Sequence, residues 1–120
     1  MSDKENNVTH HDWGYEITWA KHINYSGKIL VFSNPGSKTP FFFNAETDKS
    51  FFVNSGSFKL RWISTEDGKI YENDLEEGQV WDCSRLVPCS LQALAANSSI
   101  SVVSSGELED KHIIIRPESF

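Results

Sequence analysis

The sequence predicts an all-β domain, a sandwich or barrel of short strands, and two observations carry that expectation. Apolar and polar residues alternate with a period of two in several runs, and Gly-bearing turns separate many of those runs. The aromatic complement of 8 Phe, 4 Trp and 3 Tyr points the same way, because aromatic side chains favour strands over helices.

Taken in order, residues 1 to 12 are polar and lack any hydrophobic period, which predicts a flexible N-terminal arm. The barrel is expected over residues 13–116, with 117–120 as a C-terminal tail. Trp13, Tyr15, Ile17 and Trp19 alternate with Gly14, Glu16, Thr18 and Ala20, the signature of a strand with two unlike faces. The run Lys28 to Ser33 ends at the turn signal Asn34-Pro35-Gly36. Further strands are expected at Pro40 to Asn44, Ser50 to Asn54, Ser57 to Ser64, Lys69 to Glu72, Gln79 to Cys83, Ser90 to Ala95, Ile100 to Ser104 and His112 to Arg116. Leu91 to Ala96 is the one stretch that also suits a helix, and it is short for one. The acidic residues Glu72, Asp74, Glu76 and Glu77 read as a solvated loop.

A chain of 120 residues suits one domain and can bury roughly two-thirds of the surface its unfolded form exposes. The net charge of −6, with no Lys/Arg run, would repel a phosphate backbone, so nucleic acid is not an expected partner. The opening residues carry no apolar run of the kind a signal peptide or membrane span needs, and a cytoplasmic location is expected. Cys83 and Cys89 are the only cysteines, and they are expected to be free thiols.

At this point the chain resembles the cupin superfamily, in particular its mannose-6-phosphate isomerase-like branch. Trp13-Gly14-Tyr15-Glu16 and Tyr25-Ser26-Gly27-Lys28-Ile29-Leu30 look like that branch's first two strands. Gly36 and Gly56 stand at the separation of the first cupin motif, and Gly78 anchors the second. The resemblance covers roughly Trp13 to Arg116 and implies a cupin-type double-stranded β-helix, a jelly-roll barrel. It also implies a homodimer.

The metal-ligand positions of these motifs are all changed. Phe42 and Asn44 stand where the first motif has its two histidines, Lys49 where it has Glu, and Cys89 where the second motif has His. Imidazole and carboxylate hold a divalent metal through matched lone pairs. Phe42 has none, and a lysine about 4 Å from a divalent ion is repelled by about 8 kcal/mol at an effective dielectric near 20. No histidine occurs between His22 and His112, so no shift of register restores a histidine-bearing motif in the central strands. The expectation is a barrel with no metal and no cofactor.

If Lys49 keeps the inward direction of the Glu it replaces, it joins Asn44, Phe42 and Cys89 in a site suited to a sugar phosphate or small carboxylate. The alternative is that Lys49 snorkels to solvent while the other three pack. His10, His11 and Asp12 read as solvated residues of the arm, His22 and His112 as structural or exposed, and Cys89 as an ordinary buried thiol. The leading functional expectation is a non-catalytic cupin that binds a small polar or anionic, carbohydrate-like ligand. The alternatives are a structural or dimerisation module and a metal-independent sugar isomerase or epimerase.

Overall fold

The structure, a computed structural model, describes residues 7–106, 111–117 and 120. Eleven strands are formed: β1 (Val8–His11), β2 (Gly14–His22), β3 (Tyr25–Phe32), β4 (Phe41–Asn44), β5 (Lys49–Ser55), β6 (Ser57–Ile63), β7 (Ile70–Glu76), β8 (Val80–Cys83), β9 (Cys89–Ala93), β10 (Ser99–Ser104) and β11 (Lys111–Ile115). They make a six-stranded sheet, β1-β2-β3-β10-β5-β8, and a five-stranded sheet, β11-β4-β9-β6-β7, every pairing antiparallel. Neighbours far apart in sequence, such as β3 with β10, are the crossovers of a jelly roll. Among the described residues no helix is long and apolar enough to cross a membrane.

The interior follows from alternation within the strands. Leu30 and Phe32 of β3, Phe51 and Val53 of β5, and Ile100 and Val102 of β10 meet Phe58 and Leu60 of β6 and Leu91 and Ala93 of β9. Phe58, Leu60, Val53, Ala93 and Ile100 are completely excluded from solvent. Each large side chain so buried contributes roughly 1.5–3 kcal/mol of transfer free energy. Leu91 is at the centre of this core, so the stretch that could have passed for a helix is strand β9.

Three expectations change. Residues 8–11 of the expected flexible arm form β1, in register with β2 from Val8↔Ile17 to His11↔Gly14. Strand pairing is made by backbone groups and needs no hydrophobic period, and the His11 ring is further anchored by stacking on Trp13. Residues 1–6 and 118–119 lie outside the described residues. The acidic stretch, read as a loop, is mostly strand β7. There Lys59 ion-pairs with Asp74 at 3.1 Å, and Arg61 with Glu72 at 2.9 Å, across the β6–β7 ladder. His11, read as solvated, turns into the barrel.

The glycines of the motif frame turn the chain where other residues would be strained. Gly36, Gly56 and Gly78 have φ of +94°, +76° and +86°, a region that penalises a Cβ. At Gly56 there is no space either, since a Cβ would meet Ser98 Oγ at 2.1 Å. The turn at Gly56 joins β5 to β6, and so fixes how Lys49 and the core residues of both strands face one another.

Candidate functional site

Strand β5 reads Lys49, Phe51, Val53 along its inner face, so one strand carries both the dry core and a charge at its end. Lys49 is only 5% exposed. It points inward and does not snorkel. Its Nζ donates to Asn44 Oδ1 at 2.5 Å and sits 4.2 Å from the centre of the Phe42 ring. Asn44 is itself 2% exposed, at the end of β4. The amide oxygen and the ring face both favour a cation, which moderates the cost of burying it. Among the described residues no carboxylate lies within ion-pair distance of Lys49.

These side chains line a cavity of about 150 Å³ whose apolar wall includes Leu30, Phe51, Val102 and Ile113. Three of the sequence-predicted positions, Phe42, Asn44 and Lys49, are thus brought together. Cys89 is not part of the lining. It pairs with Phe42 in the β4–β9 register and lies buried in the core, its Sγ 3.4 Å from Cys83 Sγ.

The cavity also receives residues that sequence reasoning missed. Glu16 of β2 is 7% exposed and bridges two donors, accepting from Lys28 Nζ at 2.6 Å and from His11 Nε2 at 2.9 Å. The period-two pattern of β2 shows two faces without saying which is inward. Gly14 and Glu16 face in, while Tyr15 and Trp19 are 36% and 58% exposed on the outside. Trp13, before β2, does enter the barrel and stacks between His11 and Phe32. Glu16 and Lys28 meet as diagonal neighbours on the inner faces of β2 and β3, Glu16 opposite Leu30 and Lys28 opposite Thr18. Counting charge, the cavity wall holds Lys28, Lys49 and Glu16, with His11 at its edge.

The β8–β9 loop is tied to Asn44 and Asp48. Leu86 N donates to Asn44 O at 2.8 Å, and Arg85 grips Asp48 through Nη2 at 3.0 Å. The hydrogen bonds from Arg85 hold the Asp48 carboxyl below the usual carboxylate range. Leu86 has φ of +69°, an uncommon conformation for a bulky residue.

The donors do not suit the divalent metal that cupin motifs ordinarily hold. The ligand positions present a ring, an amide, an ammonium and a buried thiol. Among the described residues no group of three or more His, Cys, Asp or Glu is arranged to hold a metal ion. His11 and Glu16 are adjacent, but Glu16 is already shared with the Lys28 ammonium.

The class defined by this architecture is the cupin-type jelly roll, and solved structures bear this out. Oxalate decarboxylase from Bacillus subtilis matches with a TM-score of 0.79 at 16% identity, over 89% of this chain and 29% of that one. The capsular polysaccharide assembling protein CapF from Staphylococcus aureus matches with a TM-score of 0.77 at 15% identity, over 90% and 34%. Peruvianin-I, a cysteine peptidase from Thevetia peruviana latex, matches with 0.78 at 14% identity, over 90% and 71%. At such identities the likeness is one of fold alone, and the chain spans less than a third of the oxalate decarboxylase it matches. No protein-family profile matches the chain, and no curated protein matches it in sequence.

Proposed function

We propose that this chain is a metal-free, non-catalytic cupin that binds a small carboxylate-bearing ligand at the polar end of its barrel. The observation that carries the reading is Lys49, buried beside a cavity and lacking a carboxylate partner among the described residues. A ligand carboxylate would supply the missing counter-charge, and a charge-assisted hydrogen bond is about twice as strong as a neutral one. The apolar wall of Leu30, Phe51 and Val102 would take the ligand's hydrocarbon part. A cavity near 150 Å³ is the size that accepts benzene, which favours a short organic acid over a sugar phosphate. Kinship with the mannose-6-phosphate isomerase-like branch is proposed on the residues that begin β2 and β3, Trp13-Gly14-Tyr15-Glu16 and Tyr25-Ser26-Gly27-Lys28.

A metal assay and a thermal-shift screen test this. Purified protein is expected to lack a stoichiometric transition metal, and short carboxylates are expected to raise its melting temperature. A stoichiometric metal, or a screen in which no carboxylate shifts the transition, would reject the reading.

A second reading, metal-independent proton transfer on a bound substrate, draws support from the His11–Glu16 hydrogen bond at the cavity. A carboxylate that orients an imidazole is a common general-base arrangement. It would be tested by exchange of a ligand's α-proton in deuterated buffer, with loss of exchange in His11→Asn.

We also propose a homodimer, formed through the outer face of the six-stranded sheet. Tyr15, Trp19, Phe52, Val80 and Val103 are exposed there, interspersed with Asn54 and Ser101 rather than with a row of charges. Asp82 is the charged residue beside Val80 on this face, and an exposed apolar patch of this kind commonly marks an interface. Sedimentation should show a dimer that Trp19→Glu dissociates, and a wild-type monomer at high concentration would refute it.

A further inference from the structure

The two cysteines are closer to each other than their separate strands suggest. Cys83 ends β8 in the six-stranded sheet, and Cys89 begins β9 in the five-stranded one. Their sulfurs are 3.4 Å apart, and both are free thiols. Cys83 is the cross-strand partner of Lys49, and Cys89 that of Phe42. Access to the two differs. Cys83 borders an open cleft of about 410 Å³ together with Ser50, Asp82 and Ser104, whereas Cys89 is wholly buried and absent from that cleft.

We propose that Cys83 and Cys89 form a peroxide-responsive dithiol, in which oxidation joins the two sheets by a disulfide beside the candidate site. Cys83 is the attacking sulfur and Cys89 the resolving one. The Cys83 thiolate attacks one oxygen of a hydroperoxide, the O–O bond breaks, and the departing oxygen leaves as water or alcohol after taking up a proton. Cys83 is then a sulfenic acid. The Cys89 sulfur attacks it, the S–O bond breaks, and hydroxide leaves with the Cys89 proton as water. Two electrons pass from the sulfurs to the hydroperoxide, and no other reductant or oxidant is needed. A disulfide of about 2.05 Å requires the sulfurs to approach by about 1.4 Å, a displacement within reach of small side-chain rotations.

The electrostatics agree with this division of labour. The hydrogen bond between the two sulfurs, aided by the Lys49 ammonium and opposed by burial, lowers the pKa of Cys83. The same hydrogen bond, together with burial, pushes that of Cys89 well up. Thiolate character governs reactivity, and both shifts favour the sulfur that borders the cleft.

The test begins with the unmodified chain. After brief exposure of native protein to a small excess of hydrogen peroxide, it is denatured, alkylated and weighed intact. The expected species is a single chain lighter by two hydrogens, with both alkylation sites lost together and both restored by dithiothreitol. Two alkylatable thiols after treatment, a disulfide between chains, or stable oxygen adducts without the hydrogen loss would each overturn the proposal. The wild-type result decides even if cysteine variants fold poorly. Where they do fold, Cys89→Ser should accumulate a dimedone-trapped sulfenic acid at Cys83. In Cys83→Ser, oxidation of Cys89 should slow by at least about tenfold, and unchanged Cys89 reactivity would contradict the assigned order.

Discussion

The two halves of the barrel interior are walled by the same strands and filled by opposite chemistry. Along β3 the inward residues run from Phe32 through Leu30 to Lys28, and along β5 from Val53 through Phe51 to Lys49. One half is therefore close-packed, with Phe58, Leu60, Val53 and Ile100 fully excluded from solvent. The other encloses charge and a cavity of about 150 Å³. A core that served stability alone would have no reason to bury Lys49 and Glu16, because each buried polar group must recover its lost hydration through partners. The difference separates the half that holds the fold together from the half in which we propose that a ligand binds.

This contrast can be broken at either end, and the largest effect is expected in the packed half. Phe58→Ala should cost about 3–5 kcal/mol in chemical denaturation, through lost transfer energy and a cavity that the surrounding rings cannot fill. In the polar half, Glu16→Gln should cost about 1–3 kcal/mol, because Lys28 loses its charged acceptor while remaining partly buried. Lys49→Met should alter stability by less than about 1 kcal/mol. The hydrogen bond lost at Asn44 Oδ1 is offset by relief from burying an ammonium. A loss at Lys49→Met comparable with that at Phe58→Ala would erase the distinction between the halves.

The smallest expected effect concerns pH and lies outside the barrel interior. Asp67 is held below the ordinary carboxylate range by hydrogen bonds, chiefly from the Tyr71 hydroxyl. A carboxyl depressed on folding stabilises the native state above its unfolded pKa, about 3.9, and that contribution is lost as pH falls through the lower folded value. Asp67→Asn should therefore lower the melting temperature slightly near neutrality, and the two curves should converge in acid. A difference that persists unchanged into acid would show that the Asp67 charge is not responsible.

How much of this was legible in the sequence depended on which groups make each feature. The strands of the core were readable because Phe58, Leu60 and their neighbours alternate with a period of two. The glycine frame was readable because Gly36, Gly56 and Gly78 occupy left-handed turns that few other residues tolerate. That frame in turn placed Phe42, Asn44 and Lys49 at one end of the barrel. The position of β1 was not legible, since Val8 to His11 are held by backbone pairing to β2. The inward face of β2 was not legible either, because its outer face is the more apolar one, with Trp19 covering Gly27 of β3. Those two facts hid Glu16, His11 and Lys28, which make half of the candidate site. Cys89, placed by the motif spacing among the candidate ligand-binding residues, packs against Cys83 rather than opening onto the cavity.

We propose Lys49 as the recognition group of a metal-free barrel, a role that is open to direct measurement. It is tested most directly by calorimetric titration of short carboxylates into chelator-treated wild-type protein and into Lys49→Met. The account predicts saturable binding by the metal-stripped wild type, weakened at least about tenfold in Lys49→Met, which is the loss of about 1.4 kcal/mol. Binding that disappears on chelation, or that is equally strong in Lys49→Met, would contradict it.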